Sequence, residues 1–208
     1  SGWENKVEMG KGRSAGIEFM AQKTAGKTTG WLSYTLSKSD RKFTKGGINN
    51  GEWFPYKYDR RHSINLTINH KFSDRIDIGA SWVFYTGGTS TIPEEKTTVI
   101  RPHNGANNGF LWYGTYDNTN SSPTIGDVSY IEHRNNFRLP ASHRLNLGVN
   151  FNKKTKHGMR TWNISLYNAY NAMNPAWVYR GHNKQGLSVI KKYTLLPLIP
   201  SFTYTYKF

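Results

Sequence analysis

His143-Arg144-Leu145-Asn146-Leu147-Gly148-Val149-Asn150-Phe151-Asn152 alternates without a break. Leu145, Leu147, Val149 and Phe151 fall on one side of an extended chain, and Arg144, Asn146, Gly148, Asn150 and Asn152 on the other. Successive side chains leave a pleated strand in opposite directions, so this period of two predicts a β-strand with one apolar face. A helical period of useful length does not compete with it.

Six further stretches read the same way. Strands are expected near 14–22, 29–37, 60–71, 75–85, 160–170 and 200–208, beside the one near 143–152. Ile17, Phe19 and Ala21 share a side in the first, and Leu32, Tyr34 and Leu36 in the second. Ile64, Leu66 and Ile68 do so in the third, and Ile76, Ile78, Ala80, Trp82 and Phe84 in the next. Trp162, Ile164 and Leu166 follow, then Phe202, Tyr204, Tyr206 and Phe208. Each stretch is about as long as a tilted strand needs to cross a bilayer.

The connections sort into two kinds. Thr24 to Lys27, Phe72 to Asp74 and Lys153 to Gly158 are short and polar; 38–57, 86–142 and 171–199 are long. Short and long alternate along the chain, as in a transmembrane barrel with tight periplasmic turns and long extracellular loops. A soluble β-sandwich, the competing fold, gives no reason for that alternation and does not accommodate a long structureless loop inside a compact domain.

Composition agrees. Only 36% of the 208 residues are hydrophobic, yet 14% are aromatic, with 13 Tyr, 10 Phe and 7 Trp. That is little aliphatic material for a thick core and many rings with polar tips, a balance suited to a wall with lipid on one face and water on the other. No run approaches the roughly 20 apolar residues of a transmembrane helix. The net charge of +15 raises nucleic-acid binding, but the basic residues are dispersed, with local runs only at Lys153, Lys154, Lys156 and at Lys191, Lys192. No nucleic-acid partner is therefore expected. The chain has no cysteine, which removes disulfides and thiolate metal sites.

No constellation for catalysis stands out. Gly10-Lys11-Gly12-Arg13-Ser14 lacks the spacing of a phosphate loop, the histidines form no ligand pair, and no Gly-x-Ser-x-Gly elbow occurs. Neither enzyme activity, metal nor cofactor is expected.

With short turns on the periplasmic side, the strand ending at Phe208 runs towards the periplasm, and residues 1–12 fall outside the cell. Seven strands are too few to close a barrel and odd in number, so the chain is expected to be part of a larger wall. Glu18, Asp77 and Arg144 lie on or near inward-facing positions, with Asp59, Arg60 and Arg61 close to a strand start. They either meet a partner inside the wall or solvate a water-filled lumen; Arg60 and Arg61 alternatively face lipopolysaccharide phosphates at the outer rim. In the 86–142 connection Arg101, His103, Phe110, Trp112, Tyr113, Tyr116 and Tyr130 combine rings and positive charge. Arg101, His103, Trp112, Tyr113 and Tyr116 are candidate ligand contacts, since rings stack on sugars or flat chelates and Arg or His holds an anionic group. Packing of the loop upon itself is the alternative. The 171–199 connection carries a hairpin-like pair around Trp177, Tyr179 and Leu187 to Ile190.

Phe202-Thr-Tyr204-Thr-Tyr206-Lys-Phe208 resembles the C-terminal assembly signal of outer-membrane barrels, a terminal aromatic with rings at every second position before it. Other stretches resemble the barrel of TonB-dependent receptors: Arg13 to Phe19, Gly30 to Ser37, Phe54-Pro55 with Tyr58 to His62, Leu139 to Phe151, Leu166 to Asn171, Asn174-Pro175, and Pro197 to Phe202. The similarity extends over essentially the whole chain. It is to Gram-negative receptors with a carboxypeptidase-regulatory-like N-terminal domain. The resemblance implies an all-β fold, with about seven C-terminal strands of a 22-stranded barrel around a plugged lumen. It implies residence in the bacterial outer membrane and energy-coupled import of a scarce nutrient: siderophore, haem, vitamin, glycan or peptide. The partners it implies are the rest of the barrel and its plug, TonB acting through the plug, the barrel assembly machinery, lipopolysaccharide and outer-membrane lipid, and a surface lipoprotein. A passive porin, or a structural barrel subunit in a larger assembly, is the alternative.

Overall fold

The structure is a computed structural model that describes residues 7–44, 47–101 and 124–208, with 95–101 and 124–128 as backbone only. It contains two compact units, Ser1–Ile92 with His133–Phe208, and Pro93–Glu132. Both are built of antiparallel strands. In chain order these are β1 (Gly10–Lys23), β2 (Thr28–Phe43), β3 (Phe54–Pro55), β4 (His62–Lys71), β5 (Ile76–Tyr85), β6 (Thr89–Ser90) and β7 (Glu95–Arg101). They continue as β8 (Thr124–Tyr130), β9 (Phe137–Arg138), β10 (Ser142–Thr155), β11 (Gly158–Tyr167), β12 (Pro175–His182), β13 (Ser188–Thr194) and β14 (Ile199–Lys207).

The large sheet of the first unit has the order β1-β2-β4-β5-β10-β11-β14, with β3 paired onto β2. These long strands are the seven alternating stretches. Their register keeps the apolar faces together. One row across the sheet is Phe19, Tyr34, Ile64, Phe84 and His143, and the next is Ala21, Leu32, Leu66, Trp82 and Leu145. Further rows join Ile78, Val149, Ile164 and Phe202, then Ile76, Phe151, Trp162 and Tyr204. A slip of one residue at any pairing would turn a whole strand over, so the rows fix the register.

This apolar face is not buried. Phe54 and Ile92 are the buried hydrophobic residues among those described, at 7% and 8% exposure, and neither lies on the seven long strands. Ile17, Phe19, Leu147, Phe151, Trp162, Ile164 and Phe202 are exposed. On β10 and β11 the polar-face residues Asn146, Asn150, Asn152, Asn163 and Ser165 are more shielded than the apolar Leu147, Phe151, Trp162 and Ile164. A fold stabilised by burying hydrocarbon from water has the opposite order.

Several strand limits depart from the sequence expectation. β1 and β2 run past 14 and 37 to pair from Gly10 and Phe43 onward. Residues 38–43 alternate too weakly to be read as strand, yet backbone pairing does not require an apolar face. The expected 38–57 loop is correspondingly shorter, and it holds a 3-10 turn at Ile48–Gly51 before β3 returns to Asp40 and Arg41. β10 continues to Thr155, which pairs with Gly158, so the turn there is only Lys156 and His157. The 86–142 connection is not structureless: β6 pairs with β9, and β7 with β8, where the β-branched run Thr97 to Ile100 pairs with Ile125 to Val128. The hairpin read in 171–199 is β12 with β13. Gly26 closes the β1–β2 turn at φ +93°, a left-handed conformation that an L side chain resists.

Candidate functional site

The buried side chains of the first unit are mostly polar, and most of them gather where the long connections leave the sheet. Asp40, Asn49, Asp59, Thr89 and Ser142 are all below the surface there. Asp59 is the centre, 1% exposed. Its carboxylate accepts the Ser39 backbone N–H at 2.7 Å and an Arg138 guanidinium N–H at 2.6 Å, with the Arg61 Nε at 3.3 Å. Arg138 also donates to the backbone carbonyls of Asp59 and Gly87, at 2.7 and 2.9 Å. One guanidinium thus ties together the segments around 59, 87 and 138. Burial pushes the Asp59 carboxyl up, but the hydrogen bonds from Arg138 and Ser39 and the charges of Arg61 and Arg138 outweigh it and hold the group below its ordinary value.

Asparagines extend the network. Asn49 donates to the Arg134 carbonyl at 3.2 Å and accepts its N–H at 2.8 Å. Asn135 donates to the Pro55 carbonyl at 2.8 Å, and its own N–H reaches Thr91 at 3.0 Å. Asn49, Asn50, Asn135, Asn168 and Asn171 all have positive φ, a conformation asparagine tolerates better than most residues. The many asparagines of these loops therefore serve both as turn formers and as backbone clamps.

Around this polar lock lie cations stacked on rings. Arg13 sits 4.3 Å over Trp53, Arg41 4.0 Å over Tyr56, and Arg60 4.0 Å over Tyr85. Arg13 also pairs with Asp40 at 3.0 Å. Trp53 and Tyr58 remain exposed. On the β12–β13 hairpin Trp177 and Tyr193 stack at 4.3 Å, 8° from parallel, and both are exposed. Such a surface can hold a flat or anionic ligand by stacking and charge. Among the described residues it contains no paired base and nucleophile.

The second cluster is on the polar face of the sheet. Asp77 accepts from Asn150 at 2.7 Å and Asn152 at 2.6 Å; Asn163 donates to Asn150 and Thr161 to Asn152, each at 2.7 Å. Arg144 lies 4.3 Å over the Tyr167 ring and donates to its hydroxyl. Its Nε is buried without a hydrogen-bond partner among the described residues.

Glu18, Asp77 and Arg144, expected to face inward, share this polar face: Glu18 is opposite Thr35, Asp77 opposite Asn150, and Arg144 opposite Val83. They do not form one site, since Arg144 and Asp77 belong to opposite ends of the β5–β10 ladder. Of the expected ligand contacts, Arg101 is described only as backbone at the end of β7, and His103, Trp112, Tyr113 and Tyr116 lie outside the described residues, as does Phe110. Phe202, Tyr204 and Tyr206 occupy the apolar face of the edge strand β14, followed by Phe208, and all four are exposed.

Sequence reasoning missed Asp40, Asn49, Thr89, Arg138 and Asn168. Asn168 is wholly buried, donates to the carbonyls of Ala172 and Leu196, and accepts the Ala172 N–H. Its position just beyond the apolar run of β11 was the available signal, because a side-chain amide at a strand exit is suited to capping a turn. No protein-family model, curated protein or solved structure matches the chain.

Proposed function

We propose that this chain is part of the wall of a TonB-dependent outer-membrane receptor, which imports a scarce nutrient with energy supplied through a plug domain. The observation that carries the membrane assignment is the continuous apolar face, exposed or half-buried, running across seven hydrogen-bonded strands. In water that face would be an aggregation surface; in a bilayer it is the lipid-contacting band.

Two further features support it. From Ile76 to Phe84 the apolar part of β5 is about 27 Å long, or roughly 20 Å high at a tilt of about 40°, near the height of a barrel's apolar band. Rings with polar tips mark both margins of that face. At one margin Trp82 Nε1 donates to the Tyr170 hydroxyl at 3.1 Å, with His143 2.8 Å from the same hydroxyl, and Tyr34 meets His62 at 2.9 Å. At the other, the Trp162 and Tyr204 rings pack at a 49° tilt with centroids 4.4 Å apart, and His70 packs edge-on against Phe72 at 4.4 Å. Amphipathic rings concentrate at membrane–water interfaces for this reason.

The receptor reading, over an open porin, draws on the polar face. The buried, unpartnered Arg144 Nε and the ordered Asp77 amide network suit contact with a plug better than a freely hydrated pore. The loop-end rim of stacked cations and rings is where ligand capture would occur.

The test reconstitutes the full receptor in bilayers of brominated-acyl lipid, using variants that keep a single tryptophan. Trp162, on the apolar face, is expected to be quenched by the acyl chains, while Trp31, on the polar face, is not. The reverse result would sink the membrane assignment. A cysteine at Ser81, on the polar face, is expected to be shielded from a bulky aqueous maleimide and to cross-link to the plug; free labelling would instead favour the porin.

A further inference from the structure

We propose that Lys153, Arg160 and Tyr206 form a binding site for the phosphate headgroup of an anionic phospholipid at the short-turn margin of the apolar face. The inference rests on the transmembrane reading and adds a ligand to it.

Register brings the three residues together. Lys153 of β10 is directly opposite Arg160 of β11, and Arg160 is directly opposite Tyr206 of β14. All three have the parity of Phe151, Trp162 and Tyr204, so they continue the apolar face where hydrocarbon-facing rows end. The Tyr206 hydroxyl is 3.3 Å from Thr155 Oγ1, which places it beside the turn, and the Trp162, Tyr204 and Phe202 rings form the next layer inward.

Two cations directly opposed on neighbouring strands repel one another. Proteins usually relieve this with a nearby carboxylate, but from His133 to Phe208 the sequence has no Asp or Glu. Asp74, in the adjoining turn, is held by Lys71 at 2.8 Å. No described acidic side chain bridges Lys153 and Arg160. A phosphate diester supplies the missing negative charge: the guanidinium donates to its two non-bridging oxygens, the ammonium shares one of them, and the tyrosine hydroxyl donates to the ester region. The acyl chains of the same molecule then run along Trp162, Ile164 and Phe202. An inorganic anion satisfies the charges but leaves those rings without a partner, which favours a lipid over free phosphate.

The full receptor is placed in nanodiscs of mixed phosphatidylglycerol and phosphatidylcholine, and the lipid retained on gentle release is identified by native mass spectrometry. Wild type is expected to retain phosphatidylglycerol preferentially. Each neutralised cation is expected to weaken that preference about fivefold, so Lys153→Gln with Arg160→Gln loses roughly 25-fold. Lys153→Arg with Arg160→Lys keeps the charges and is expected to behave as wild type, which separates lost binding from lost folding. Equal retention by wild type and the neutralised double variant would overturn the proposal, as would displacement of the lipid by millimolar inorganic phosphate. Quenching of Trp162 by brominated acyl chains in the same discs distinguishes the two levels: quenching without lipid preference removes only this site, whereas absence of quenching removes the transmembrane reading and this site with it.

Discussion

Replacing Asp59 by Asn tests whether the loop-end rim is held by one buried charge. Asparagine keeps the size and one acceptor oxygen, so the Ser39 amide, at 2.7 Å in the parent, can still be satisfied. What goes is the negative charge facing Arg138 at 2.6 Å and Arg61 at 3.3 Å. A charge-assisted hydrogen bond contributes about 1.5–3 kcal/mol, and breaking a fully buried ion pair costs about 3–5 kcal/mol. Asp59 is buried but both arginines are partly solvated, at 34% and 38% side-chain exposure, so the lower range applies. The expected local loss is about 2–3 kcal/mol, or an opening about 30- to 150-fold more frequent. Native-state hydrogen exchange reads it directly. The Thr89 and Leu139 amides, bonded to the Lys57 and Gly88 carbonyls, report on the segments Arg138 joins. They are expected to exchange faster, while amides in the middle of β5 and β10 do not change. Unaltered exchange at Thr89 and Leu139 would refute the view that Asp59 holds these loops together. The pH dependence has a definite sign. The folded carboxyl lies below its ordinary value, so its stabilising contribution is full above the unfolded-state pKa of about 3.9 and is lost as pH falls through the lowered folded value. Rim exchange is therefore expected to show no Asp59-dependent change from neutrality to mildly acidic pH and to accelerate only in strong acid.

Asn168→Ala removes the side chain that bonds Ala172 and Leu196, and is expected to destabilise that corner by about 3 kcal/mol; proteolysis within 172–198 should accelerate, and Asn168→Gly, which accommodates the positive φ but restores no hydrogen bond, should not rescue it. Leu66→Arg places a charge in the apolar row between Leu32 and Trp82, with an expected cost of about 2–4 kcal/mol in urea-monitored folding into lipid vesicles. Asn65→Arg, one residue away on the polar face, is expected to cost far less, and equal effects would contradict the facial assignment. Gly26→Val forces a β-branched side chain to φ +93° and should slow β1–β2 hairpin formation, with a loss of about 1–2 kcal/mol in the same titration.

Legibility divides along physical lines. The strands near 143–152, 75–85 and 200–208 could be read because a two-residue period is a local property, visible in a few consecutive side chains. The same alternation assigned Glu18, Asp77 and Arg144 to one face, since parity along a strand is also local. The extra length of β1 and β2 was not legible: Lys11 opposite Lys42 and Gly12 opposite Arg41 carry no apolar pattern, and only backbone pairing keeps them extended.

The sequence by itself therefore determined an antiparallel β-protein with one apolar and one polar face on each long strand. Tertiary structure decided which residues meet across the chain. Asp59 and Arg138 are 79 positions apart, Asn49 and Arg134 are 85 apart, and nothing near either member names its partner. The same holds for the row of Lys153, Arg160 and Tyr206, which exists only because two pairings place three strands in one register. Periodicity follows from the pleat of a single strand, whereas a buried ion pair or a cross-strand charge row depends on loop closure and register, which bring distant segments together only in the folded sheet.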